Sequence, residues 1–481
     1  MRRFFVKNLL FIITVNVLIK PVWVFCIDRT VQNRLGHEKY GSYPQLLNLA
    51  LILQIILDFG ITNYNNRTIA QQPDRLKTLF PAMLSARLLL MLCYIVITCA
   101  AAWIIGYRGY DFVLLIGILF IQIFNTLLLF IRSNISALHK FKADGVLSVS
   151  DRFLMILIFG FLLLWPVTAQ HIKLEWFIGT QAICYFLTCI AAFFVLRSLV
   201  PLKFHFSFDK ALVSNIIREG LPYAMLIFLM GIYMRVDMVM VGRLCGNAGN
   251  DEVSIYMSAY RLLDVGNMFG LMFAGVLLPL FARMLIQKND VYPIIHVSVN
   301  MLLPVSFMIA VAAAFWNEPI MRRLYTAAAA YDGHVFAWVM AAFPAFCLTY
   351  VYSTLLTSNG SLKKLTKIAL AGVVLNLSLN FYLIPHYHAL GAAFSAFITE
   401  TFVAVCYIYA ATKTVQIPFH IKWVSSHLLF LLIIVLLAFA VYALPLNWIL
   451  QLAVFGLMGV ASMFVFRFVS VSAIKQLLVS K

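Results

Sequence analysis

Roughly fourteen stretches of about twenty apolar residues, joined by short loops, constrain this chain more than any other feature. A helix needs about 20 such residues to cross the hydrocarbon core of a bilayer. Runs of that kind fall at 8–27, 43–62, 79–102, 112–131, 147–167 and 176–196 in the first part of the chain. They continue at 220–242, 255–282, 295–316, 335–356, 366–385 and 390–411, and a last pair falls at 426–444 and 448–466. Of the 481 residues, 63% are hydrophobic and 11% charged, against roughly 45–50% and about 25% in soluble proteins. Soluble enzymes, disordered chains and disulfide-rich secreted domains are thereby excluded. The expected fold is all-α: a polytopic membrane protein of about 14 transmembrane helices. No loop is long enough for a soluble catalytic domain, and no GxxxxGK[ST] phosphate loop marks an ATP-driven pump.

Basic residues orient the spans. The net charge of +18 comes from 36 Lys+Arg against 18 Asp+Glu, and it resides mainly in loops, which points to topology and away from nucleic acid. With a cytoplasmic N-terminus, the loops on that side hold about 24 Lys/Arg and the opposite loops about 8. The inner set includes Arg67, Arg75, Lys77, Arg132, Lys140, Lys142, Arg152 and Lys203; the outer set includes Arg108, Arg243, Arg322 and Arg323. Both termini are expected in the cytoplasm. Arg2, Arg3 and Lys7 precede an apolar run with no small-residue cleavage site after it, so that run reads as a retained first span. The eight cysteines form no CxxC pair, and neither a metal site nor a disulfide framework is expected.

The chain divides near residue 205 into halves of six spans, giving expected lobes at 1–205 and 206–412 and a C-terminal pair with its tail at 413–481. An even number of spans per half makes a parallel repeat, one of the arrangements transporters use. Asp209–Glu219 gathers Leu212, Val213, Ile216 and Ile217 on one helical face, suited to the membrane surface. Two junctions carry recurring patterns: Arg34-Leu35-Gly36-His37-Glu38-Lys39-Tyr40-Gly41, and Leu57-Asp58-Phe59-Gly60-Ile61 followed by Asn66-Arg67-Thr68-Ile69-Ala70. The second half offers Gly220-Leu221-Pro222, Arg235-Val236-Asp237, Ala259-Tyr260-Arg261-Leu262 and Leu278-Pro279-Leu280-Phe281.

In that order, these motifs resemble the Wzx-type polysaccharide flippases of the multidrug/oligosaccharidyl-lipid/polysaccharide exporter superfamily, along essentially the whole chain. The resemblance implies two six-helix lobes around a central cavity plus the C-terminal pair. It also implies a protein that flips polyprenyl-pyrophosphate-linked oligosaccharide across the bacterial cytoplasmic (inner) membrane by alternating access, for surface polysaccharide assembly. The partners expected are that anionic lipid-linked substrate, membrane lipid and, as a candidate, the polysaccharide polymerase machinery; nucleic acid is not among them. A peptidoglycan-precursor lipid flippase and a cation-coupled multidrug exporter are the near alternatives. A membrane-embedded polymerase or acyltransferase is the distant one; an acyltransferase would want a buried histidine on a span, and only His296 and His427 begin spans.

Ionisable groups inside a bilayer cost several kcal/mol, so each needs a reason. Lys20, Arg87, Arg235 and Arg261 are the candidates for binding an anionic headgroup, since Arg presents a planar fork and Lys a compact charge. Local pairing is the competing role for Arg261, three residues before Asp264. Arg87 is close enough to its span end to snorkel, and Asp58 suits a structural cap. Glu400, mid-span without a local basic partner, is the coupling candidate, with Asp237 and Asp264 behind it. No cofactor is expected beyond proton or sodium coupling. Tyr233, Tyr260 and Tyr350 offer sugar-stacking faces, though packing is the commoner use. Pro21, beside Lys20, marks a bend, and Gly266 and Gly270 make a GxxxG suited to close helix packing.

Overall fold

The computed structural model describes residue 16 and residues 18–468, apart from 63–64, 66–68, 70–75, 139, 170, 201–209 and 419. Arg2, Arg3, Lys7, the start of the first span, Arg67 with most of its motif, Arg75 and Lys203 lie outside the described residues. So do the side chains of the apolar face at Leu212, Val213, Ile216 and Ile217. Among the described residues the fold is all-helical, and twelve helical stretches are long and apolar enough to cross a membrane.

Two of the twelve are double. Leu18–Leu57 is interrupted at Gly36, whose φ of 79° and ψ of 171° suit only glycine. The legs are α1 (18–35) and α2 (37–57), and the chain turns back there, because Tyr40 donates to Asp28 at 2.8 Å. The next spans are α3 (Leu76–Ile105), α4 (Tyr110–Ala137), α5 (Phe141–Leu164), α6 (Leu174–Leu199) and α7 (Lys210–Leu244). They are followed by α8 (Gly249–Ile286), α9 (Tyr292–Phe315) and α10 (Ala330–Ser358, interrupted at Ala342). Leu362–Val415 then breaks at His388, where φ is 54°, into α11 (362–387) and α12 (389–415). These legs lie side by side. Ser395 reaches the carbonyl of Asn376 at 3.5 Å, whereas nineteen residues of straight helix would span about 28 Å. The pair α13 (Ile421–Tyr442) and α14 (Trp448–Val465) completes fourteen legs.

Three boundaries differ from the sequence expectation. The second span stops at a 3-10 turn, Gln54–Leu57, not at 62, because Asp58, Phe59 and Gly60 leave helical geometry. The stretch expected on the membrane surface continues without a break into α7 from Lys210, so Pro222 lies inside one long helix. Arg152, counted with a cytoplasmic loop, sits well inside α5.

Contacts divide the chain into two compact units, Met1–Ser254 and Ile255–Lys481. In the first, α2 runs along α7 and meets the start of α8 through glycine contacts. A Cβ at Gly41 would collide with the backbone of Asn250, one at Gly242 with the side chain of Gln45, and one at Gly220 with the backbone of Phe59. The two motif glycines Gly60 and Gly220 therefore face each other. In the second unit, Gly266 accommodates the ring of Phe343 and Gly270 that of Tyr350, so the GxxxG is a packing device. The C-terminal pair docks on Trp316, which is fully buried among Phe430, Phe455 and Ala438 and donates to Gln451 at 2.8 Å. Its other faces leave Leu432, Leu436 and Leu457 exposed, as a lipid-facing surface requires.

Gly41→Leu should overpack the contact of α2 with the start of α8. Overpacking costs about 1–3 kcal/mol, so the purified variant should melt several degrees lower in detergent, while Gly179→Leu, with nothing near its Cβ, should melt like the parent.

Candidate functional site

The charges inside the spans separate into distinct settings. Arg87, on α3, is fully buried and does not snorkel. Its guanidinium pairs with Asp58, donates to the carbonyl of Thr126 at 3.1 Å and to Thr62 Oγ1 at 2.5 Å, and lies over the ring of Phe130 at 4.6 Å. Asp58 also accepts from the backbone N–H of Thr62 at 3.1 Å, which is the capping role expected of it. The two residues are 29 positions apart, and the turn at Phe59 and Gly60 brings them together. Beside them lies a cavity of about 370 Å³ lined by Leu51, Gln54, Asp58, Thr62, Thr126 and Gly231, among others.

Lys20, on α1, is half-buried, and its charged neighbours are Arg152, Asp151 and Arg132. Arg152 pairs with Asp151 at 2.9 Å and sits over the rings of Trp23 at 5.3 Å and Tyr185 at 5.2 Å. Arg132 pairs with Asp144 at 2.7 Å. Trp23 stacks on Phe177, their planes 7° apart, and Tyr43 donates to Gln181 nearby. Sequence reasoning named Lys20 but missed Arg152, Trp23 and Tyr185. A signal was present, since Arg152 falls inside the apolar run 147–167.

Arg235, on α7, donates to Asn48 of α2 at 3.2 Å, and Asp237 is buried two residues on. Lys20 and Arg235 thus have different neighbours within the first unit. Arg261, on α8, belongs to the second unit, is 2% exposed and donates to Tyr325 at 3.2 Å. Asp264 is half-buried and Glu400 buried. Tyr233 and Tyr260 are buried, and Tyr350 packs on Gly270. His427, expected at a span start, is the seventh residue of α13 and buried; it stacks on Phe468 at 4.5 Å and bonds the carbonyl of Trp423, which is a packing role.

A polar cluster that sequence reasoning missed lies at the end of α7 away from Gly220. Arg243 sits 3.5 Å over the ring of Tyr107. Tyr107 donates to Gln45, which in turn donates to Asn250 at 2.7 Å. Burial pushes the Tyr107 phenol up to about 12, with Arg243 pulling the other way, so it stays a neutral donor. The neighbouring motif glycine explains this closeness: Gly41 removes the Cβ that would hold α2 off Asn250.

The sequence model of the polysaccharide biosynthesis protein family matches residues 5–285, more than half the chain. The chain belongs to that family. No curated protein sequence matches it. Among solved structures it is similar to a lipid II flippase MurJ in an inward closed conformation, with a TM-score of 0.71, 14% identity and 100% of each chain covered. It is also similar to an inward-facing multidrug resistance MATE transporter of the MOP superfamily, with a TM-score of 0.58, 16% identity, and 85% of this chain and 98% of that one covered. A MOP superfamily transporter from Pyrococcus furiosus matches with a TM-score of 0.54 at 15% identity, over 85% of this chain and 94% of that one. The fold of this family member is therefore that of MOP transporters, and it is a multi-pass membrane protein.

Removing one partner of a buried ion pair leaves an uncompensated charge at a cost of about 3–5 kcal/mol. Asp58→Asn should therefore lower the melting temperature sharply, and Asp58→Asn with Arg87→Met should recover most of the loss. Equal melting of the single and double variants would show that the pair contributes no coupling.

Proposed function

We propose that this protein flips a polyprenyl-pyrophosphate-linked oligosaccharide across the bacterial cytoplasmic membrane by alternating access, for surface polysaccharide assembly. The observation that carries this reading is cationic: Arg261 is held at 2% exposure inside an apolar helix, and Arg235 and Lys20 are half-buried in theirs. A pyrophosphate brings two or more negative charges and strong acceptor oxygens, which suit forked guanidinium donors and a compact ammonium. Organic-cation export favours acidic groups instead of basic ones. Family membership supports the polysaccharide context. The lobe division at 1–205 and 206–412, with a helix pair at 413–481, belongs to the same proposal, as does the placement of both termini in the cytoplasm. A second reading, a flippase for the peptidoglycan-precursor lipid, is favoured by the match to the lipid II flippase over the full length of both chains.

Substrate binding is assigned to Lys20, Arg235 and Arg261, with Arg87 supporting through its pair with Asp58. Glu400, with Asp237 and Asp264 behind it, is assigned to proton or sodium coupling. The polymerase machinery is the proposed protein partner.

In a complementation assay scored for surface polysaccharide, Arg261→Ala should lose function at normal membrane abundance. Loss of one charge-assisted hydrogen bond, about 1.5–3 kcal/mol, corresponds to headgroup binding weaker by one to two orders of magnitude. Rescue of a strain depleted of its lipid II flippase, without restored surface polysaccharide, would favour the second reading. Full activity of Arg261→Ala would remove that residue from the site. Glu400→Gln should abolish transport driven by a pH gradient while leaving substrate binding intact; unchanged transport would reduce Glu400 to a structural group. Reporter fusions after residues 107, 173, 248 and 331 should report the outer side, and those after 74, 141, 208 and 288 the cytoplasm. An inversion after any point would refute the span count there.

A further inference from the structure

We propose that Lys20 and Arg152 form a pyrophosphate-binding half-site inside the first compact unit, walled by Trp23 and Tyr185. This deepens the flippase reading and rests on it. The depths agree. Asn16 donates to Ser148 Oγ at 3.0 Å, and Lys20 and Arg152 each follow four residues later. Trp23, three residues after Lys20, packs against the Arg152 guanidinium, so α1 and α5 run in the same direction and the two side chains lie at one level. Arg152 is the foremost charged neighbour of Lys20.

Charge bookkeeping then leaves a surplus. Arg132 is matched by Asp144 and Arg152 by Asp151. Lys20 has no ion pair or hydrogen bond among the described residues. Two cations side by side in an apolar bundle repel each other, and one carboxylate between them does not cancel both. An anion with several oxygens would satisfy the ammonium and, by displacing Asp151, the guanidinium together. The rings of Trp23 and Tyr185 lie 5.3 Å and 5.2 Å from the guanidinium and hold its plane by cation–π contact.

The backbone supplies a second, independent pointer. Pro21 cannot donate a helical hydrogen bond. Two residues later the helix widens into a π-helix over Trp23–Asp28, a rare geometry that concentrates at functional sites. It places Trp23 on Arg152 and leaves Lys20 one turn before the distortion. Asp151 becomes the built-in competitor: it holds the fork when the site is empty and yields it to a ligand with more charge.

The test titrates the purified full chain in nanodiscs with farnesyl pyrophosphate, inorganic pyrophosphate and farnesol. Trp23 fluorescence is read as the difference from Trp23→Phe. Farnesyl pyrophosphate should change the Trp23 signal and farnesol should not. Arg152→Gln and Lys20→Gln should each weaken binding by about tenfold to a hundredfold, with Arg152→Lys intermediate. Asp151→Asn should tighten binding, because the competitor is gone. Inorganic pyrophosphate competing at the same site, with the same losses, would identify the free anion as sufficient. Saturation by the lipid form alone, with the same losses, would identify the lipid-linked headgroup. Parental affinity in both Arg152→Gln and Lys20→Gln would overturn the half-site. So would an Asp151→Asn protein that melts lower yet binds unchanged, since Arg152 would then be a structural partner only. If Arg261→Ala loses binding while Arg152→Gln and Lys20→Gln do not, the flippase reading stands and this half-site falls. If the parent binds neither pyrophosphate, both fall.

Discussion

Hydrocarbon offers no hydrogen bonds and almost no dielectric screening, and the organisation of this molecule follows from that. Every segment that crosses must satisfy its own backbone, so the chain is helical wherever it spans. Each charge carried inside must then find a partner or a purpose. Arg87 finds a partner: Asp58 closes on it across 29 residues, Thr62 and Thr126 take further N–H groups, and Phe130 covers the guanidinium. Such a pair is weak evidence of net stabilisation, because desolvating both groups is expensive. It specifies one arrangement of the α2 end against α3 and α4, and that arrangement sets where the neighbouring cavity lies.

Without hydrophobic driving force between helices in lipid, close approach depends on small residues and polar contacts. The seam of α2 with α7 and the start of α8 uses both. Glycines at 41, 60, 220 and 242 let backbones meet, and Gln45–Asn250 and Asn48–Arg235 bridge between them. Motifs whose spacing carries the family resemblance are therefore contact points of one seam. A transporter that alternates access needs seams able to close tightly and part without leaving buried donors stranded. Amide and guanidinium groups that trade partners meet that need better than apolar interdigitation would.

Much of this was legible in the sequence. Fourteen apolar runs became fourteen helical legs, with the turns at Gly36 and His388 lying between the expected spans. The capping role of Asp58 could be read from its position at a span end. Its ion pair could not, because nothing local announces a partner 29 residues away. Arg152 was lost for a different reason. Counting basic residues for topology assigns each to a loop, and an arginine in the first turns of a span, next to an aspartate, passes as a loop residue. The aromatic contacts of Arg152 come from α1 and α6, distant in sequence. The continuity of the amphipathic stretch with α7 was not legible because an amphipathic pattern gives a preferred environment and not an end point: Lys210–Leu244 is one helix.

Under the proposed function, the cationic groups within the spans serve an anionic lipid-linked saccharide in transit. The decisive measurement uses proteoliposomes loaded with a fluorescent polyprenyl-pyrophosphate oligosaccharide, with a membrane-impermeant glycan-cleaving enzyme outside. The inner-leaflet pool, inaccessible in protein-free liposomes, should become fully cleavable when the protein is present. The same saccharide on an uncharged polyprenyl ether should stay protected. Equal protection of the pyrophosphate substrate with and without protein, or equal exposure of the charged and uncharged lipids, would contradict it.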